Sequence, residues 1–266
     1  MPAPESTLPS IGWLAAPAQW STGVTAGMST RRGGDSQGHL AESNYSFRVG
    51  DIPARVTRNW HRLEAAAAVP LTRAARLRLE HGTRIHETSR GNCRLAGDGL
   101  VTTRPGLPLV LTVADCLPLM LAVEARGVAL AHCGWRGIAA GIAPAVVHAL
   151  AAATGCPPGA MDAWIGPGIG PCCFSLPPAS TAGWADGYPP AGNSAAVAVD
   201  LGECLAAGLV AAGLARGKIR QSPLCTSCHA ELFYSHRRDH GRTGRMLTWV
   251  MLGEPQGEHA ALTESH

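Results

Sequence analysis

Three short apolar runs follow one another between Leu109 and Ala131, and they limit the folds open to this chain more than any other feature. Leu109–Val113 and Leu117–Val123 flank Ala114-Asp115-Cys116, and residues 128–131 run into His132-Cys133-Gly134-Trp135-Arg136-Gly137. Each run is rich in leucine or β-branched residues and is bounded by polar residues, Gly or Pro. That pattern predicts core strands. A thiol and an imidazole sit where these strands end or break. Such a pair reads first as a nucleophile and its base.

Composition places the chain in a folded class. Of 266 residues, 46% are hydrophobic and 15% charged, enough for one sizeable core and too apolar for disorder. The net charge of +3 is too small to argue for a nucleic-acid partner. Lys218 is the lone lysine among many arginines; with so much Ala and Gly, this reads as base composition. No apolar run reaches the roughly 18–20 residues of a membrane-spanning helix, and no positively charged segment precedes an apolar core near Met1. The expectation is a cytoplasmic protein whose nine cysteines are reduced thiols.

In chain order, residues 1–20 read as a flexible start and 21–253 as one domain, with 254–266 as a tail. Residues 24–30 predict a strand that enters the Gly-rich loop Arg31-Arg32-Gly33-Gly34-Asp35-Ser36, followed by Asn44. Exposed backbone N–H groups and an Arg in such a loop suit an anion, although a plain surface turn fits equally. Val56, Trp60, Leu63 and Ala67 recur at helical spacing and predict a helix over 54–68, with Pro70 beyond its end. Short strands are expected at 76–80 and 84–87 around His81-Gly82, and at 100–103. An Ala-rich helix is expected over 138–153, disturbed at Pro144. A strand at 163–165 leads into Gly166-Pro167-Gly168-Ile169-Gly170-Pro171-Cys172-Cys173, which matches neither dinucleotide nor P-loop spacing. Residues 181–196 read as irregular. A helix over 200–212 has Asp200 at its start, and 245–252 closes the chain as a strand.

A catalytic zinc needs three protein donors on rigid elements and one open position. His81, Cys116 and His132 are of the right types, each at the end or break of an expected strand. The competing candidate is Cys225-x-x-Cys228-His229. A CxxC pair needs a second pair to close a structural zinc. The one on offer, Cys172-Cys173, is adjacent in sequence, so Cys225 is read as packing and Cys228 as incidental.

Several motifs occur in order. They are Thr30-Arg31-Arg32-Gly33-Gly34, Gly50-Asp51, His81-Gly82, Asp98-Gly99-Leu100-Val101-Thr102, Ala114-Asp115-Cys116-Leu117-Pro118 and His132-Cys133-Gly134-Trp135-Arg136-Gly137. Gly166-Pro167-Gly168-Ile169, Asp200-Leu201, Cys225-Thr226, Ser235-His236-Arg237-Arg238 and Thr243-Gly244-Arg245 follow. From about residue 24 to 252 the chain thereby resembles the YfiH/YlmD family, also called the laccase-domain, polyphenol oxidase or peptidoglycan editing factor family. The resemblance implies an α/β (α+β) fold, a layered sandwich of mixed sheets and helices shared with the cytotoxic-necrotizing-factor catalytic domain. It implies a metal site at His81, Cys116 and His132, holding zinc, with copper as the alternative. It implies phosphorolysis of adenosine, inosine, guanosine and methylthioadenosine, and deamination of adenosine. Catalytic roles would fall to Cys116, His132, Arg31 and Arg136, and substrate binding to Asn44 and Arg237, in a site for purine nucleoside and phosphate. The chain departs from the family pattern at Leu79-Glu80, at Trp60 where an Arg is usual, at Cys133, at Ser175-Leu176-Pro177 and at His236. Three other readings stay open at this level: a copper phenol oxidase, a Cys116–His132 amide hydrolase acting on peptidoglycan precursors, and a non-catalytic binding protein.

Overall fold

The computed structural model describes residues 11–17, 20–177 and 197–254. Two six-stranded mixed sheets lie face to face. The first runs β1 (Trp13–Ala15), β2 (Val24–Ser29), β14 (Met246–Leu252), β7 (Leu109–Val113), β3 (Ala75–Arg78), β5 (Arg94–Ala96). The second runs β13 (Ile219–Gln221), β10 (Asp162–Ile165), β8 (Leu117–Val123), β9 (Gly127–Cys133), β6 (Gly99–Thr102), β4 (Ile85–Glu87). A small ladder pairs β11 (Ser175–Leu176) with β12 (Val197–Ala198).

Side-chain alternation along each strand builds the layers. Met28, Leu109, Leu111 and Val113 of the first sheet meet Leu100, Met120, Leu130 and Trp164 of the second in one buried cluster. On the outer face of the second sheet, Leu117, Leu119, Leu121 and Ala131 pack under α3 (Ile142–Thr154) and α4 (Leu201–Ala211) through Val146, Leu150, Leu205 and Leu209. On the outer face of the first sheet, Val110, Leu247 and Trp249 pack under α1 (Pro53–Ala67) through Val56, Trp60 and Leu63. The result is helix, sheet, sheet, helices. A strand covered on both faces needs no alternation of polar residues, which is why β8 is buried along its whole length.

The expected helix over 138–153 is two helices. The short α2 (Trp135–Ala139) is separated from α3 by Gly141, whose φ of +89° suits glycine. Pro144 falls in the first turn of α3, where its missing N–H costs nothing. The α4 cap is as expected: Asp200 Oδ1 accepts the Glu203 N–H at 2.9 Å. The domain starts earlier than residue 21. Trp13–Ala15 pairs with β2 and Ile11 is buried, so residues 11–17 belong to the sheet. A three-residue edge strand is too short to show a period in sequence. Residues 181–196, read as irregular, and the ends 1–10 and 255–266 lie outside the described residues. Among those described, no helix is long and apolar enough to cross a membrane.

Candidate metal centre

Ala114-Asp115-Cys116 is where the chain leaves β7 in one sheet and enters β8 in the other. Asp115 makes the turn at a φ of +85°, a conformation that L-residues other than Asn and Asp rarely take. Three long-range bonds hold it there. Its carboxylate accepts the Thr226 hydroxyl at 2.7 Å and the Arg237 N–H at 2.7 Å, and its carbonyl accepts the Ile169 N–H at 2.8 Å. The turn thereby fixes where Cys116 points.

His132 lies on β9, paired in register with Pro118 at the start of β8. Alternation sends its ring towards Cys116, while Cys133 goes to the opposite face and into the core beneath the helices. Burial pushes the Cys133 thiol well up and keeps it inert. His81 comes from the loop between β3 and β4, at a φ of +59°. Its ring centroid is 4.8 Å from that of His132, at 74°. One donor atom each from His81, Cys116 and His132 lies within 4.8 Å of the others.

Asp98, fully buried just before β6, organises these donors. Its Oδ1 accepts from His132 Nδ1 at 3.0 Å and from the His81 N–H at 2.9 Å, and its Oδ2 accepts the Gly82 N–H at 2.7 Å. Burial opposes its charge, but these bonds outweigh it and hold the carboxyl below the usual carboxylate range. With Nδ1–H committed to Asp98, His132 presents Nε2 as its free donor. Burial would likewise raise the Cys116 thiol, yet the His132 and His81 imidazoles bring it down to about 6. Burial opposes protonation of His132, but the Cys116 thiolate and Asp98 raise it to about 9. Without metal the site is thus poised as a Cys116 thiolate beside a protonated His132, whose Nε2 proton a metal would displace on binding. The donor set suits zinc with one position left open. A His2Cys set also serves electron-transfer copper with a weak axial Met, and among the described residues no Met lines this cavity.

The donors sit in a cavity of about 400 Å3. Trp135, Ile169 and Phe174 give it apolar walls, and Arg136, Arg237, Arg245 and His236 give it cations and hydrogen bonds. Arg136 lies over the Trp135 ring at 4.3 Å and Arg237 over that of Phe174 at 4.9 Å, which holds both guanidiniums against the walls. Arg245 anchors its Nη1 on the Thr243 and Gly244 carbonyls.

Of the residues expected at the site, His81, Cys116, His132, Arg136 and Arg237 converge here. Arg31 and Asn44 do not line the cavity. Arg31 donates twice to the Ala41 carbonyl, once to that of Ala230, and stacks on Tyr234. Asn44 is fully buried: Nδ2 donates to Ser46 O and Asp51 Oδ2, and Oδ1 accepts the N–H of Ser46 and of Arg245. Both are occupied in holding loops, Asn44 by placing the Arg245 backbone. Trp60 lies under the first sheet with its indole N–H on the Tyr45 carbonyl at 2.9 Å, away from the cavity. Asp98, Asp115, Arg245 and His236 stood inside recognised motifs, but nothing local in sequence assigns them a partner.

Comparison with known proteins agrees with this architecture. The chain is 37% identical to the purine nucleoside phosphorylase YlmD of Geobacillus stearothermophilus, over 90% of this chain and 94% of that one. It is 35% identical to a purine nucleoside phosphorylase of Deinococcus radiodurans, over 95% and 96%. The crystal structure of the Geobacillus protein superposes with a TM-score of 0.86, covering 91% of this chain and 97% of that one. Residues 25–253 match the family model described as multi-copper polyphenol oxidoreductase laccase, and the chain belongs to this laccase-domain family of YlmD and YfiH proteins.

Proposed function

We propose that this protein is a zinc-dependent purine nucleoside phosphorylase that also deaminates adenosine. The observation that carries the reading is the three-donor centre His81–Cys116–His132 opening into a cavity with apolar walls and two stacked arginines. Relatives covered almost end to end bear the phosphorylase name. Zinc held by these three residues would supply Lewis acidity at an open position.

The protein's own groups divide the remaining work. Phe174, Ile169 and Trp135 offer apolar wall against which a purine can pack. Arg136 and Arg237 present planar guanidiniums suited to bidentate phosphate binding. In phosphorolysis, a phosphate oxygen bonds to the anomeric carbon as the glycosidic C–N bond breaks, and the electron pair leaves with the base, which takes up a proton. Binding by the arginines orients the anion and neutralises its repulsion from the departing base. Asp98 keeps His132 in one tautomer throughout. In deamination, water adds at the amino-bearing purine carbon and ammonia leaves, with no need for phosphate.

The test is incubation of metal-replete protein with inosine and with adenosine. Hypoxanthine and adenine are expected only when phosphate is present, and inosine from adenosine without it. Absence of all three products overturns the reading. Oxygen consumption with a phenol by copper-loaded protein would instead establish the oxidase reading.

A further inference from the structure

Outside the cavity, four of the nine cysteines meet at one point. Cys172 and Cys173 lie on the turn after β10, and Cys225 and Cys228 on the turn after β13. The Cys228 sulfur is 3.5 Å from that of Cys172 and 3.4 Å from that of Cys173, and all four lie within 4.8 Å of one another. Four thiolates at about 2.3 Å from a tetrahedral zinc sit about 3.8 Å apart, and these separations bracket that edge.

Adjacency in sequence argued against Cys172 and Cys173 acting together, and the backbone removes the objection. The N–H groups of Cys173 and Phe174 both donate to the Gly170 carbonyl at 3.0 Å. That tight turn leans both side chains towards Cys228. On the other loop, Cys225 Sγ accepts the Gly170 N–H at 3.2 Å, and the N–H groups of Ser227 and Cys228 also face it. Backbone donors around a sulfur favour the thiolate. A bridge between Gly168 and Cys225, with the Thr226 N–H on the Gly168 carbonyl at 2.9 Å, holds the two loops in register. Cys225 therefore does more than pack, and Cys228 is the sulfur on which the others converge.

We propose that Cys172, Cys173, Cys225 and Cys228 form a second metal site, an all-thiolate site that takes one zinc ion and staples the two loops together. Binding releases the thiol protons to solvent. Four protein ligands close the coordination sphere, so the role is structural. The stapled loops carry Ile169 and Phe174 to the cavity wall, and Thr226 to Asp115. The second site thus braces one wall of the first without facing it.

Metal analysis of full-length, metal-replete protein should find two zinc ions per chain, falling to one in Cys225→Ser/Cys228→Ser and to one in His81→Ala/His132→Ala. Cobalt should give tetrathiolate charge-transfer and d–d bands that survive in the histidine variant and vanish in the cysteine variant. Cys172 is exposed, so Cys172→Ser keeps the fold; it should lose the second zinc to a chelator at least tenfold more readily than the parent. Zinc should also shield Cys172 and Cys228 from alkylation. One zinc per chain in the parent, undiminished by Cys225→Ser/Cys228→Ser, overturns the proposal. So does a Cys172→Ser protein that holds two zinc ions as tightly as the parent, or a Cys228 disulfide as the resting form of protein purified under reductant.

Discussion

The Asp98 carboxylate accepts from His132 Nδ1–H and from the backbone N–H groups of Glu80, His81 and Gly82. Asp98→Asn keeps the shape but must aim an amide NH2 at one of those N–H groups, leaving it unsatisfied, and it frees the His132 ring to change tautomer. Zinc affinity at the three-donor centre should fall roughly 10–100-fold, as for other partners that orient a metal-bound histidine. Chelator competition measures it, and unchanged affinity would show that His132 is oriented by packing alone. The neighbouring thiol carries a second prediction. In metal-free protein Cys116 ionises at about 6 while His132 stays protonated to about 9. Alkylation of Cys116, followed by peptide mass, should therefore rise with pH to a midpoint near 6, well below the ~8.5 of an ordinary thiol. Zinc should suppress it. A fast reaction indifferent to zinc would favour the Cys–His hydrolase reading. Cys133, buried with its thiol pushed up, should stay unlabelled at the same pH. The three donors were legible because each sits in a specific motif. Asp98 was not, because its role exists only once β6 and β9 pair and bring it to His132.

At the scale of elements, the centre depends on how closely α2 begins behind it. Gly134 caps that helix at φ −78° and ψ 162°, a conformation open to any residue. Its hydrogen, not its flexibility, is what the site uses. A Cβ at this position would stand 3.1 Å from Cys116 Sγ and 3.2 Å from His81 Nδ1. Gly134→Ala should therefore leave thermal unfolding of the metal-free protein nearly unchanged, yet cut metal content at the centre to a small fraction. Full metal content in that variant would place the ion elsewhere. The two longer helices and the central strands were readable because each spans enough residues to show a period. Val56, Trp60, Leu63 and Ala67 mark α1, and β8 is apolar from end to end. The strands β1, β5 and β13, three residues each, show no period, and their pairing is set by the neighbours they complete. The break at Gly141 was hidden because alanine favours helix on both sides of it.

The molecule as a whole places its chemistry where one sheet hands the chain to the other. Sequence shows β7 and β8 as two apolar runs with three residues between them; nothing local says that they join different sheets. Only the layered assembly separates them, because each run buries one side against the opposite sheet and the other against helices. The cavity then draws Cys116 from the crossover, His132 and Arg136 from the end of β9 and the start of α2, and Arg237 from a loop anchored on Asp115. That dispersed origin makes the two arginines separable from the metal donors. Arg237 is tied to Asp115 through its backbone N–H, and Arg136 touches the fold through its stacking on Trp135. Truncating either side chain to Ala should leave metal content and unfolding intact. If they hold phosphate, each loss should raise the phosphate KM of inosine phosphorolysis about 10–100-fold, the size of a charged hydrogen bond worth ~1.5–3 kcal/mol. Adenosine deamination, which uses no phosphate, should stay within about twofold of the parent, since a change that small is under 0.5 kcal/mol. Loss of both reactions to the same extent would mean that the arginines shape the cavity instead of binding the anion. The ratio of the two activities, measured on one preparation, therefore separates an anion clamp from a wall.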